Sequence, residues 1–314
     1  MSLFVEEFAE KIVKRYISEG IWTECSLADR YVYLEYYDEG GYSSIHKVMD
    51  RINGKHLILK RSSKKDFIPG RLQPLNESRG EGISVGAQTQ VSAEAEFIMK
   101  VYNKLGGIKM YDYYDDDDHY LLIMDDGGRS LENIVCSHKK KITDLIRYDR
   151  YQSNFFYQTH LNNISRYMVK LYHRVKEIHE LGIHHNDLKP ENVLVKGDDM
   201  FVIDFGVSKW IDDCEELTTY KGTLHYVPYE YVAHGSYKPW NHTVWCFGVM
   251  LHFLTLMKYP FLKEQDVIEH RLNHSQIGKL PPSFSVLILD CLQKQPSKRP
   301  RNLLERLQNL RSYQ

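Results

Sequence analysis

The stretch GIHHNDLKPENVLV, residues 182–195, concentrates polar and charged side chains between two apolar runs. Asp187 and Asn192 are five residues apart, and the closing run NVLV predicts that the loop leads into a strand of a hairpin. In such a loop a carboxylate can orient a hydroxyl group, while the amide oxygen of an asparagine can bind a metal ion. The segment therefore predicts a loop with a chemical role, because packing alone does not require these side chains.

A second strand-like run, FVIDFGVSK, begins nine residues after Asn192 and contains Asp204 and Gly206. Asp204 offers the hard oxygen ligand that Mg²⁺ prefers, and Gly206 permits a sharp turn of the backbone. Together with Asp187 and Asn192, Asp204 would place two carboxylates and one amide around a single cleft. This set fits phosphoryl transfer, in which the protein mainly positions the reactants and balances their charge.

The composition excludes several classes of protein. The 314 residues carry a formal net charge of −1, so no overall basic field favours direct binding to nucleic acid or to an anionic membrane surface. The longest apolar run, residues 244–257, is shorter than the ~20 residues of a membrane span, and it predicts a buried helix. The cysteines are odd in number and lack CxxC spacing, which predicts unpaired thiols and an intracellular protein of the cytoplasm or nucleus. They are Cys25, Cys136, Cys214, Cys246 and Cys291.

The order of local patterns predicts two regions of different character after an N-terminal extension. Apolar residues at 4, 5, 8, 9, 12, 13, 16 and 17 predict an amphipathic helix in residues 1–30, which docks on its own domain, binds a partner or forms a dimer. Tyr-, Val- and Leu-rich runs predict strands at about 31–37, 44–50 and 55–61, and a further buried strand lies in HYLLIMDDGG. Residues 62–91 predict a mobile insertion, a helix follows from Ser92, and helical patterns dominate from about residue 161.

These pieces occur in the order of the eukaryotic-type protein kinase family, which the sequence resembles over roughly residues 31–310. The resemblance implies an α+β bilobal fold with a small antiparallel-sheet N-lobe at 31–124, built around one main helix, and a mostly helical C-lobe at 125–314. It also implies that ATP and Mg²⁺ are the cofactors. Within the N-lobe, Lys60 of LILK would hold the ATP phosphates and pair with Glu94 or Glu96. Glu94 is preferred, because apolar residues follow it at +3, +4 and +7.

The resemblance also implies the roles of the remaining site residues. Asp187 would be the catalytic base or hydroxyl-orienting group, Lys189 would stabilise charge on the transferred phosphoryl group, and Asn192 and Asp204 would be metal ligands. The nucleotide would contact Gly40, Gly41, Ile45, Ile58, Lys60, Met124, Asp125, Asp126, Leu194 and Asp204. Among these, Met124 would line the back of the adenine pocket, the backbones of Asp125 and Asp126 would meet adenine, and Leu194 would form the floor. GTLHYVPYE resembles the end of an activation segment, whose Glu230 would pair with Arg299.

Five positions depart from the family pattern. Asp38 and Ser43 stand where the glycine-rich loop usually has glycines, and Ile58 replaces an alanine. Asn186 replaces an arginine, which leaves phosphorylated Thr218, Thr219 or Tyr220 without an obvious cationic partner. Thr243 replaces an aspartate, so that a weaker hydroxyl would have to brace the catalytic loop.

The resemblance favours an active serine/threonine protein kinase, since Lys189 and the Thr223 that follows Gly222 are typical of that branch. A pseudokinase scaffold and a small-molecule kinase of the choline or aminoglycoside type are the alternatives. The divergent HND loop also looks like kinases of large DNA viruses such as baculoviruses. Four carboxylates in WIDDCEEL form either a solvated loop or one side of the peptide groove, and in the groove they would favour Arg- or Lys-rich protein substrates. They belong to Asp212, Asp213, Glu215 and Glu216.

Overall fold

The chain divides into two compact units, Met1–Gly127 and Gly128–Gln314. The computed structural model describes residues 12–17, 22–40, 43–66, 92–115, 118–146, 150–211 and 216–310. Each unit has its own character, the first dominated by a sheet and the second by helices.

The N-terminal unit is a seven-stranded antiparallel sheet with the strand order β2-β1-β6-β7-β5-β4-β3. Its strands are β1 (Ile12–Ile17), β2 (Trp22–Ser26), β3 (Tyr31–Gly40), β4 (Ser43–Asp50), β5 (His56–Ser63), β6 (Met110–Asp115) and β7 (His119–Asp125). Its helices are α1 (Leu27–Arg30), a 3₁₀ turn (Lys64–Asp66) and α2 (Ala93–Leu105). The strands expected near 31–37, 44–50 and 55–61 are confirmed, and so is the buried strand that became β7.

The side chains of the central strands explain why this sheet forms. Val48, Leu57, Leu59 and Ile123 are all buried on adjacent strands, and they form one apolar cluster with Tyr31. Alternate residues of β4 are buried, as a half-buried strand requires. The cluster therefore fixes the register in which β4, β5 and β7 meet.

The expected N-terminal amphipathic helix is wrong over residues 12–17, which form β1 instead. β1 pairs with β2 and also with β6, where Lys14 lies opposite Asp115. The apolar pairs that suggested a helix are largely β-branched or aromatic, and such residues favour a strand when a sheet edge can supply hydrogen bonds. The dimer was expected to form through this helix, so the described residues give no support for it. Residues 1–11 lie outside the described residues.

The helix expected from Ser92 is confirmed as α2. Ser92 Oγ accepts a hydrogen bond from Ala95 N at 3.2 Å, which caps the first turn. The helix ends at Gly106, whose φ of 66° is a left-handed conformation that glycine adopts without strain. The expected insertion at 62–91 is wrong over residues 62–66, which complete β5 and form the 3₁₀ turn. Residues 67–91 lie outside the described part of the chain.

The C-terminal unit contains eight α-helices and short strands in the part that the structure describes. The helices are α3 (Leu131–Ile146), α4 (Arg150–Glu180), α5 (Tyr229–His234), α6 (Pro239–Leu256), α7 (Glu264–Glu269), α8 (His274–Ile277), α9 (Pro282–Cys291) and α10 (Leu303–Gln308). The strands are β8 (Arg129–Ser130), β9 (Ile183–His184), β10 (Val193–Lys196), β11 (Asp199–Val202) and β12 (Lys209–Trp210). Three further 3₁₀ turns are Pro190–Asn192, Leu224–Tyr226 and Pro296–Lys298.

Helix α6 is the centre of this unit, and it confirms the buried helix expected at 244–257. It is buried on nearly all sides. A Cβ at Gly248 would lie 2.7 Å from Cys291 Cβ, so glycine permits the close approach of α6 and α9. Across the described residues, no helix combines the length and the apolar character that a membrane crossing would need.

Candidate active site

The loop that carries Asp187 lies between β9 and β10 in the C-terminal unit. Asn186 has φ 67°, an uncommon left-handed conformation that the surroundings hold in place. The ring of His185 bonds through Nε2 to Ile203 O at 2.8 Å, and Ser208 Oγ donates to His185 O at 2.9 Å. The segment that follows β11 thus holds the loop at His185, through both the ring and the backbone carbonyl of that residue.

The Asp187 carboxylate is held by four contacts. Thr223 donates to Oδ1 through its backbone N at 2.8 Å and through Oγ1 at 2.7 Å. On the other oxygen, Oδ2, Asn192 Nδ2 donates at 3.1 Å and Lys189 Nζ lies at 2.9 Å. Because donors approach both oxygens, the orientation of the carboxylate is fixed before any substrate arrives.

Thr223 is the functional residue whose contacts sequence reasoning missed, since it served there only as a marker of the serine/threonine branch. Its Oγ1 also accepts a hydrogen bond from Lys189 Nζ at 2.7 Å, so Thr223 links Asp187 and Lys189. The signal in the sequence was the glycine before it. A Cβ at Gly222 would lie 2.4 Å from Asn186 O, so only glycine lets the two segments approach so closely.

Asn192 and Asp204 fit a Mg²⁺ ion. Both hydrogen bonds of the Asn192 side chain use Nδ2, which donates to Asp187 O and Oδ2, so Oδ1 is the atom suited to a cation. Ile203 N donates to Asn192 O at 3.0 Å, which places the residue before Asp204 directly beside Asn192. The pair supplies one carboxylate and one amide oxygen, a protein ligand set that Mg²⁺ accepts when phosphates and water complete its shell. In the described part of the chain, no cluster of three His, Cys, Asp or Glu side chains could hold a metal.

In the N-terminal unit, Lys60 pairs with Glu94. Lys60 Nζ lies 2.6 Å from Glu94 Oε1, and both side chains are buried. Tyr120 OH donates to the other carboxylate oxygen at 3.0 Å, and burial with the nearby Glu94 charge raises the pKa of this phenol. The preference for Glu94 over Glu96 as the partner of Lys60 is therefore confirmed.

The other residues expected at the nucleotide lie along the same sheet. Ile45 is opposite Lys60 in the β4–β5 pair, and Ile58 is opposite Met124 in the β5–β7 pair. The bulkier Ile58 thus neighbours the residue expected at the back of the adenine pocket. Gly40 closes β3 opposite Ser43, whereas Gly41 and the side chain of Asp38 lie outside what the structure describes.

The segment after Met124 limits which backbone groups can meet adenine. Asp125 N donates to Lys109 O at 2.9 Å, so this N–H is already used within the sheet. Its carboxylate lies 2.7 Å from Lys55 Nζ, while Asp126 is exposed. In the C-terminal unit, Leu194 is half-buried on β10, opposite Phe201.

The expected pair of Glu230 and Arg299 is confirmed. Two parallel hydrogen bonds join the guanidinium to the carboxylate, at 2.8 and 2.6 Å, and both side chains are buried. Arg299 also donates to Gln293 O and Asn241 O. This bidentate pair ties the end of the activation segment to the chain before α10.

Two expectations drawn from departures need correction. Thr219 does have a local cationic partner, because Lys209 Nζ donates to its Oγ1 and to its backbone carbonyl. Thr243 does not brace the catalytic loop, since its Oγ1 donates to Pro239 O, one turn earlier in α6, at 3.1 Å. A buried threonine in a helix commonly bonds to its own backbone in this way.

Comparisons with known proteins agree with this geometry. The sequence profile of the protein kinase domain matches residues 31–309. A protein of Invertebrate iridescent virus 3, assigned as a serine/threonine-protein kinase, is 47% identical over 326 aligned residues, which cover 100% of this chain and 97% of the relative. The serine/threonine-protein kinase pim-2 of Danio rerio is 31% identical over 43% of each chain. A kinase assigned in Clostridium acetobutylicum is 24% identical over 91% of this chain and 40% of its own length.

A sheet-rich unit with a Lys60–Glu94 pair and a helical unit with a fixed Asp187 define a phosphotransferase of the kinase class. The match over residues 31–309 covers most of the chain. The chain belongs to the protein kinase family, with the α+β fold that the sequence predicted. The resemblance to viral kinases is confirmed by the iridescent virus relative.

Proposed function

We propose that the protein is an active serine/threonine protein kinase, which transfers the γ-phosphoryl group of ATP to hydroxyl groups of protein substrates. The observation that carries this proposal is the Asp187 carboxylate, fixed by Thr223, Asn192 and Lys189. Such pre-orientation is the main contribution that a protein makes to phosphoryl transfer. The serine/threonine names of the relatives support the acceptor class.

Each site residue in the C-terminal unit has a defined part in the transfer. Asp187 orients the acceptor hydroxyl and takes its proton as the oxygen bonds to the γ-phosphorus and the bond to the β–γ bridging oxygen breaks. Lys189, within reach of Asp187 and Thr223, balances the negative charge of the transferring group. Asn192 Oδ1 and the Asp204 carboxylate would hold Mg²⁺, which when bound neutralises charge on the phosphates.

In the N-terminal unit, Lys60 holds the ATP phosphates and Glu94 holds Lys60. The salt bridge of 2.6 Å orients the ammonium, and the Lys60 side chain is only 10% exposed. Ile45, Ile58, Met124 and the Asp125 carbonyl contact the nucleotide in this proposal. Leu194 of the C-terminal unit is also assigned to nucleotide binding in this proposal, as are Gly40 and Gly41.

Two alternatives are less well supported. A pseudokinase scaffold has no need of the complete set of Lys60, Asp187, Lys189, Asn192 and Asp204, which the chain retains. A choline- or aminoglycoside-type kinase has no need of a Thr223 bonded to both Asp187 and Lys189 from a separate downstream segment. Assays of phosphate transfer to proteins and to small alcohols separate these classes.

Three variants test the assignment of roles. Asp187→Asn should lower turnover by roughly 10²–10⁴-fold and leave ATP binding intact, because only proton transfer and orientation are lost. Asp204→Asn should weaken both Mg²⁺-dependent nucleotide binding and transfer. Lys60→Met should abolish transfer with the fold intact. Rates with a Ser/Thr peptide library and ATP affinities are measured for each, and wild-type phosphorylation by all three variants would overturn the proposal.

Basic protein substrates are a finer part of the proposal. Glu216 is exposed and accepts a hydrogen bond from Ser236, while Asp212, Asp213 and Glu215 lie outside the described residues. Four carboxylates near the acceptor would attract cations, and each exposed pair would contribute about 0.2–1 kcal/mol.

The free cysteines described, Cys136, Cys246 and Cys291, support a reducing, intracellular setting.

Matched peptides with Arg or Glu flanking one Ser test this preference. The wild type should phosphorylate the Arg peptide faster, and the difference should fade as salt screens the charges. A variant with all four carboxylates replaced by Ser is the control. Equal rates for the two peptides in the wild type, or an unchanged preference in the variant, would show that the four carboxylates do not determine substrate preference.

A further inference from the structure

Two buried histidines, His184 and His242, contact each other next to the catalytic loop. His184 Nε2 is 3.1 Å from His242 Nδ1, and both side chains are almost fully buried. His184 ends β9, three residues before Asp187. His242 lies in the first turns of α6, next to the Thr243 whose hydroxyl is used within its own helix.

The second nitrogen of His242 contacts the other segment that holds Asp187. His242 Nε2 lies 3.3 Å from Tyr226 O, in the 3₁₀ turn that begins at Leu224. The residue before that turn is Thr223, which bonds to Asp187 through both its N–H and its hydroxyl. One imidazole therefore joins α6 to the strand before the base and to the turn that orients the base.

The hydrogen-bond directions follow from the chemistry of the partners. A carbonyl oxygen only accepts, so His242 Nε2 carries the proton and donates to Tyr226 O, and Cys246 Sγ, 3.2 Å from the same nitrogen, is then a second acceptor. His242 Nδ1 then accepts from His184 Nε2–H. Burial lowers the pKa values of both rings, so each is neutral and each tautomer is set by its partner. The chain of bonds His184 to His242 to Tyr226 O is consistent at every atom.

We propose that His242, together with His184, is the positioning group that braces the catalytic loop and the Thr223 turn in this kinase, in the place that Thr243 does not fill. The inference rests on the proposed role of Asp187. His242 contacts neither substrate nor the reacting atoms, and it acts through the backbone on either side of the base. Loss of both hydrogen bonds would let Asp187 and Thr223 shift, and small displacements at a reacting centre cost much rate.

Substitutions of His242 separate its two bonds. His242→Phe keeps an aromatic ring without either bond, His242→Asn keeps an acceptor near the Nδ1 position, and His242→Gln keeps a donor near the Nε2 position. We expect His242→Phe to lower kcat by about tenfold or more while KM for ATP and for peptide stays within about threefold, as befits a group that positions the base. The Asn and Gln variants should fall between this variant and the wild type.

Two matched controls complete the design. Thr243→Val removes the neighbouring hydroxyl and should keep wild-type kcat, because that hydroxyl bonds only within α6. His184→Phe combined with His242→Phe should lose no more rate than the worse single variant, because both changes break one chain of contacts. All rates are taken at a temperature at which near-ultraviolet circular dichroism shows each variant folded.

The outcomes are separable. Wild-type kcat in folded His242→Phe would overturn the brace, and if that variant does not fold, wild-type kcat in both His242→Asn and His242→Gln would overturn it. A strong loss of kcat in Thr243→Val would also overturn it. Asp187→Asn is assayed in parallel: activity retained there would refute the proposed function, whereas activity lost there and kept in the His242 variants would refute the brace alone.

Discussion

Asn186 shows how a single residue changes the regulation expected of a kinase. It is 1% exposed, its Oδ1 accepts from Tyr237 OH at 2.6 Å, and its Nδ2 donates to Val207 O at 3.2 Å. A neutral amide with these bonds already connects the catalytic loop to the activation segment. Lys209 adds a contact to unphosphorylated Thr219. The segment is therefore held by hydrogen bonds that need no phosphate.

We predict that unphosphorylated protein works at close to its full rate. Phosphatase-treated protein, checked by intact mass, should retain its initial rate within about twofold, since no charge-assisted bond to a phosphate has to form. Thr219→Ala serves as the matched control, and it should lose only the Lys209 contact. Activity that falls to background after phosphatase treatment, and returns when Thr218 or Thr219 is phosphorylated, would contradict this prediction.

At the scale of elements, the helical unit is linked by the buried pair of Arg299 and Glu230. The guanidinium and carboxylate side chains are 2% and 9% exposed. Arg299 also lies over the ring of Trp245, in the middle of α6, at 4.9 Å from its centroid. One arginine thus connects α5, α6 and the chain before α10.

We predict that Glu230→Ala lowers the free energy of unfolding by about 3–5 kcal/mol, because it leaves the Arg299 charge buried without its counter-ion. Urea unfolding monitored by circular dichroism measures the change. The control is Glu180→Ala, which breaks an exposed helical pair with Lys176 and should cost about 0.5 kcal/mol or less. Equal small effects of the two substitutions would show that the buried pair contributes little.

Across the whole molecule, buried histidines link stability to pH. Desolvation is the first cause of lowered pKa values, which fall to about 4 at His160 and to about 3 at His242, and well below 6.5 at His184. These rings are neutral in the folded protein and take up protons in the unfolded chain below pH ~6.5. These histidines do not change the free energy of unfolding above that pH. They lower it as the pH falls from there toward their pKa values in the folded protein.

We therefore predict that the free energy of unfolding declines between pH 6.5 and 5, by up to about 1.4 kcal/mol per pH unit for each of these histidines. Urea midpoints at pH 8, 6.5, 5.5 and 5 give the profile. His160→Gln removes one titrating group away from the active site and should reduce the slope. A profile that is flat from pH 8 to pH 5 would rule the effect out.

Much of the molecule followed from local sequence, because the relevant signals lie within a few residues of one another. The strands that became β3, β4 and β5 carry their own apolar patterns, and the helix at Ser92 carries its own cap. The spacing of Asp187 and Asn192 likewise fixed a loop that enters a hairpin. The choice of Glu94 over Glu96 followed from the face of one helix, and the salt bridge to Lys60 confirms it.

What only the tertiary structure decided depends on partners far away in the chain. Residues 12–17 had a helical stripe, but they form a strand that pairs with β2 and also with β6, about a hundred residues later in the chain. Thr243 looked like a brace by position, yet its hydroxyl bonds one turn back while His242 makes the long-range contacts. Local propensity sets which conformations a segment can adopt, and the long-range packing and hydrogen bonds select among them.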